Sequence, residues 1–146
     1  MTDTPQDGRV CDGYQGYSPL RGVEYESGIA PPVFSPENNG FLSLLNLSPP
    51  CAVCHSSIRS AQMMFPAMTT CPPGWTLEYE GYLVSSHRDH RRSSYMCLDS
   101  APEAIQGSSG NTNGALIYPV EVSCGYALPC PPYVNGYEVA CVVCTM

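Results

Sequence analysis

Nine cysteines in 146 residues limit what this chain can become more than any other feature. That density belongs either to a metal-binding protein or to one cross-linked in an oxidising compartment. Two C-x-x-C pairs, Cys51/Cys54 and Cys141/Cys144, test the choice. A zinc ribbon would separate such pairs by about 15–20 residues, and here most of the chain lies between them. A redox pair wants a helix N-terminus to lower its thiol pKa, yet "CAVC" and "CVVC" have apolar interiors containing β-branched valine. In a strand, residues three apart point to opposite faces, so each cysteine of a pair is expected to bond elsewhere. Disulfides are the preferred reading, with zinc and redox chemistry as the alternatives.

The rest of the composition agrees with a secreted, loop-rich chain. Pro 15 and Gly 13 favour turns over long helices. Tyr 10 far exceeds Phe 3, so the chain is aromatic as well as turn-rich. The opening "MTDTPQDGRV" lacks the basic and apolar regions of a signal peptide. No apolar run reaches the roughly 20 residues of a membrane span. A net charge of −7 argues against nucleic acid and anionic membrane surfaces as partners.

Strand signals are short and scattered. "GVEYES" is one candidate, and "AQMMFPAM" reads as an edge strand because Pro66 cannot donate to a central ladder. In "WTLEYEGYLV", alternation puts Trp75, Leu77, Tyr79, Gly81 and Leu83 on one face. Thr76, Glu78, Glu80, Tyr82 and Val84 take the other. "SSYMCL" follows, then "ALIYPVEVSC", interrupted at Pro119. "YVNGYEVACVVC" predicts a hairpin turning at Asn135-Gly136.

The chain also echoes itself. "PCAVCHSS" resembles "ACVVCTM", and upstream "LRGVEYES" resembles "IYPVEVSC", aligning Glu24 with Glu121. A partial first repeat over residues 1–59 and a complete second one over 60–146 would form one compact domain.

"PCAVCHSSIRSAQMMFPAMTTCPPGWTLEYEGYLVSS", "YMCLD", "NGALIYPVEVSCG" and "LPCPPYVNGYEVACVVCT" together resemble the cysteine-rich C-terminal, non-collagenous domain of short-chain, spongin-type collagens, also found in secreted cnidarian and mollusc proteins. The likeness is dense from Pro50 to Thr145 and weaker from Asp12 to Pro49. It implies an extracellular, non-enzymatic domain that assembles, without a cofactor. It also implies that Cys51, Cys54, Cys71, Cys97, Cys124, Cys130, Cys141 and Cys144 are oxidised in four disulfides, leaving Cys11 as the odd cysteine. Three departures stand beside it. There is no Gly-X-Y stretch, so no collagen helix forms. The first half of the first repeat lacks a counterpart here, and Cys11 matches no family cysteine.

The remaining constellations have plain readings and sharper ones. "HRDHRR" offers His87, Asp89 and His90 as metal ligands or an acid–base group, but no nucleophile or second carboxylate completes the set. The plain reading is a solvated loop. The sharper one is a basic spot of Arg59, His87, Arg88, His90, Arg91 and Arg92 for a sulfated glycan or acidic neighbour. Trp75 and Tyr82 offer rings for a sugar or apolar ligand, although Trp75 and Tyr79 fit core packing better. "EYEGY" has carboxylates but no calcium-loop pattern. Asn46-Leu47-Ser48 is a glycosylation sequon, disfavoured by Pro49.

The sequence therefore predicts a mostly β fold of short antiparallel strands with many loops, in two pseudo-repeated halves of which the first is truncated, held by disulfides and without a metal site. The expected function is a secreted structural domain of the extracellular matrix that forms a homo-oligomer. The alternative is a secreted binding module for a matrix glycan or a small apolar ligand.

Overall fold

The computed structural model describes residues 20–26, 44–91 and 93–146. Cys11 and Arg92 lie outside them, as do most of the first 43 residues. The described chain is mostly β. Its six strands are β1 (Val23–Tyr25), β2 (Gln62–Pro66), β3 (Thr76–Ser85), β4 (Met96–Asp99), β5 (Ala115–Pro119) and β6 (Ala140–Thr145). They form one sheet in the order β1-β5-β3-β6-β2, with β4 also on β3.

The expected antiparallel pattern holds for four pairings and fails for one. β1 runs parallel to β5, Val23 opposite Ala115 and Tyr25 opposite Ile117. This is possible because a long stretch of chain separates the two strands, as a parallel crossover needs. β2 lies at the sheet edge and ends at Pro66, where the missing N–H costs no ladder bond.

β3 is the hub. At 10 residues it is the longest strand, and it pairs with β4, β5 and β6. A β-bulge breaks its alternation: Leu77 opposes Cys144 and Tyr79 opposes Val143, leaving Glu78 as the extra residue. The predicted five-residue face is thereby split. Trp75 and Leu77 fall on one side, Tyr79, Gly81 and Leu83 on the other. Trp75 is consequently only half-buried, edge-on to Phe65 at 5.5 Å, and is not a core residue. Tyr82, assigned by alternation to the face away from Trp75 and Tyr79, packs against the core cluster of Tyr25, Val84 and Ile117.

Gly81 is fixed by proximity. A Cβ there would sit 1.7 Å from the Leu98 carbonyl oxygen, so only glycine lets β4 come this close.

The chain turns at Asn135-Gly136 as predicted, but the turn does not close a hairpin. Gly136 has φ of 80°, and Tyr137 N–H donates to the Val134 carbonyl at 3.2 Å. The returning chain pairs with the segment after β5: Val122 N–H donates to Tyr137 O at 2.8 Å, and Glu121 bridges Glu138. The residues before the turn, Tyr133 and Val134, belong to no strand.

Among the described residues there are three disulfides: Cys71–Cys144 and Cys97–Cys141, which anchor β6, and Cys124–Cys130, which closes a short loop. The first two bonds leave β6 in opposite directions, as expected for strand residues three apart. They span 73 and 44 residues, separations at which a bridge stabilises by about 4 kcal/mol. The expected fourth bridge is not formed, and Cys51 and Cys54 carry free, exposed thiols.

The two look-alike segments also differ. β6 is buried throughout from Cys141 to Thr145, whereas residues 51–56 are exposed and belong to no strand. Glu24 is buried at 3% exposure while Glu121 is exposed. The two look-alike segments therefore differ in structure where both are described; residues 1–19 and 27–43 of the expected first repeat lie outside the described residues.

Candidate functional site

Two places combine side chains that could meet a ligand or partner. The first is the tip of β3. Ser85 ends the strand and faces Tyr118 of β5. Ser93 closes the loop base, its Oγ lying 3.2 Å from the Ser85 hydroxyl and accepting the Ser86 N–H at 3.2 Å. His90 N–H donates to the His87 carbonyl at 2.9 Å, which folds the histidines together. Their rings lie 5.5 Å apart, and both reach Tyr118, at 5.0 Å from His87 and 6.2 Å from His90.

The adjoining cleft, of about 520 Å³, is lined by His87, Arg88, Tyr118, Glu121, Asn135 and neighbours. Burial raises the Tyr118 hydroxyl pKa, and the charge of Glu26 adds to the rise. One Glu26 carboxylate oxygen, Oε2, is buried and has no hydrogen-bond partner among the described residues.

This arrangement keeps part of the predicted basic spot and scatters the rest. His87, Arg88 and His90 are together, and Arg91 is exposed on the same loop. Arg59 is elsewhere: its Nη1 pairs with Glu78 Oε1 at 2.5 Å, and Thr145 Oγ1 donates to the same oxygen at 2.5 Å. Glu78 is the bulged residue near the start of β3, so a whole strand separates Arg59 from the histidines.

Positive charge at the tip is also countered. Asp89 lies 3.5 Å from His87 Nδ1 and 3.7 Å from Arg88 Nε, and Glu121 lines the cleft. An anionic glycan would meet carboxylates there as well as arginine. Among the described residues, no group of three or more His, Cys, Asp or Glu side chains is placed to hold a metal ion.

Trp75 and Tyr82 do not make a shared stacking platform. They are seven residues apart along extended chain, roughly 20 Å. Tyr82 is committed to the core, and burial followed by the charges of Glu138 and Glu80 raises its pKa.

The second place is an apolar groove of about 630 Å³ across the sheet. Pro49, Cys51, Met63, Tyr79, Tyr95 and Met96 are among its walls. Met63 is 50% and Tyr95 60% exposed. No second layer of strands or helices covers it among the described residues.

Cys51 stands on its rim. The stretch Cys51–His55 spells C-x-x-C-H, an attachment sequence for c-type haem. It forms no helical turn, so the two thiols and the imidazole do not share a face.

The sequence missed two features. Tyr118 joins the histidines only because Ser85 pairs with it, a long-range register with no local signature. The other is Glu24, whose carboxylate accepts the Thr112 hydroxyl and the N–H groups of Thr112 and Asn113, both at 3.0 Å. The Thr112 hydroxyl bond lowers its pKa, desolvation opposes this, and the backbone N–H groups of Thr112, Asn113 and Gly114 assist. It ties β1 to the loop before β5.

No protein-family model matches the chain, and no solved structure matches it.

Proposed function

We propose that this chain is a non-enzymatic, secreted structural domain that assembles with copies of itself in the extracellular matrix. The observation that carries this reading is the apolar groove on a sheet that no second layer covers among the described residues. A sheet buries at least one face against another layer in a stable domain, and exposed apolar patches rimmed by polar residues mark interaction sites. Three disulfides fit an oxidising compartment. No helix among the described residues is long and apolar enough to cross a membrane. The resemblance to the short-chain collagen C-terminal domain points the same way.

Size-exclusion chromatography with light scattering tests the reading. The expected mass is a multiple of 15.8 kDa. A monomer at all concentrations would sink it.

The cleft beside His87, His90 and Tyr118 supports a second reading, a module that binds a glycan through these rings and Arg88. A glycan array separates the two: binding by a monomer, lost in His87→Ala, favours the module.

A further inference from the structure

Cys51 and Cys54 are unbonded in a protein whose other described cysteines are all paired. Nine cysteines less three bridges leaves Cys11, Cys51 and Cys54. Residues 51–56 run without turn or bend. Extended residues three apart have Cα atoms roughly 10 Å apart, beyond the about 7 Å limit for a disulfide. Cys51 and Cys54 are therefore not partners for each other. Cys11 has one sulfur and can satisfy only one of them. In the oxidised protein, at least one of these two thiols has no partner left in its own chain.

The surroundings of the two thiols show what kind of partner fits. Val53 between them is 87% exposed, and Ile58 just beyond is 84% exposed. The look-alike stretch Cys141–Thr145 is fully buried as β6, with both sulfurs bonded. The same kind of sequence is thus an interior strand in one place and an unpaired surface stretch in the other. The stretch Pro49–Ile58 carries no Asp, Glu, Lys or Arg, with His55 its only titratable group besides the thiols. On a protein of net charge −7, it is a patch where identical copies can meet without like-charge repulsion. It also continues into the apolar groove through Pro49 and Cys51.

We propose that residues 49–58 form a covalent docking segment for a second copy of this chain, with at least one of Cys51 and Cys54 in an interchain disulfide. This rests on the assembly reading above and names its contact. A patch that meets itself across a two-fold axis is self-complementary by construction. Two thiols, one from each chain, give up two protons and two electrons to form the S–S bond. The acceptor is a low-molecular-weight disulfide such as oxidised glutathione, which leaves as two thiols.

The test oxidises the full chain with oxidised glutathione, mixing isotopically labelled and unlabelled copies. Non-reducing gels and peptide mapping follow, on wild type, Cys11→Ser, Cys51→Ser, Cys54→Ser and the Cys51→Ser/Cys54→Ser double variant. Wild type and Cys11→Ser are expected to give a covalent dimer, with a labelled–unlabelled peptide pair containing Cys51 or Cys54. The double variant is expected to run entirely as monomer. Should it melt below wild type, wild type alkylated before oxidation takes its place.

Both cysteines bonded within one chain, both free after oxidation, or a covalent dimer persisting in the double variant would each overturn the proposal. Light scattering then separates the two claims. Non-covalent oligomers without the interchain bond sink this contact and leave the assembly reading standing. Monomers throughout sink both.

Discussion

Glu24 shows how much one buried carboxylate can organise. Its three hydrogen bonds hold residues 112–113 against β1, across a separation of 88 and 89 positions. Its folded pKa is lowered, so the stabilisation it supplies is present above its unfolded value and is lost as pH falls through the folded one. Thermal melts from pH 7 to pH 3 should show a fall in stability beginning near the ordinary carboxylate range. Glu24→Gln should flatten that fall and lower the melting temperature at pH 7; an unchanged pH profile would remove Glu24 from this role. Gly81 gives a second test. Gly81→Ala forces a Cβ into the Leu98 carbonyl and should cost at least about 2 kcal/mol in a urea melt. A neutral result would mean that β4 is not held where the structure puts it. Neither residue stood out in the sequence as structural, because each owes its role to a partner far along the chain.

At the scale of elements, every described strand was legible as a short strand signal, and its pairing was not. Proline and glycine punctuation located β2, β3, β5 and β6, and "YMCL" located β4. Alternation in β3 was misread because Glu78 bulges, and a bulge leaves no mark on a run of alternating residues. The correction has a measurable consequence. Leu83 is buried, so Leu83→Ala should cost about 2–5 kcal/mol. Trp75 makes one edge contact outside the core, so Trp75→Ala should cost about 1 kcal/mol. Chemical denaturation of both variants checks the order. If Trp75→Ala proves the costlier, the bulge is misplaced and the simple two-face reading returns. The histidine cleft was half legible: "HRDHRR" marked the loop, while Tyr118, Glu121 and Asn135 reach it only through long-range pairing.

At the scale of the whole molecule, the described sheet sets a thin core cluster of Tyr25, Val84 and Ile117 beside a broad apolar surface. Tyr25, at 1% exposure, anchors that cluster, and its hydroxyl donates to the Glu103 carbonyl at 2.7 Å. Burial, with the nearby Cys51, Glu103 and Asp99, pushes its pKa up to about 12. Against this small core stand Met63, Tyr95 and Met96, exposed along the groove. Cysteine number made an oxidised, β-rich fold readable from the sequence, but the surface left open depends on which strands meet. Sedimentation equilibrium on wild type and on Met63→Glu/Met96→Glu, each at several concentrations, tests the central claim most directly. Assembly through the groove predicts an oligomer for wild type and a folded monomer for the variant, because two charges would be buried unpaired at the contact. Wild type sedimenting as a 15.8 kDa monomer throughout, or the variant assembling as wild type does, would contradict it.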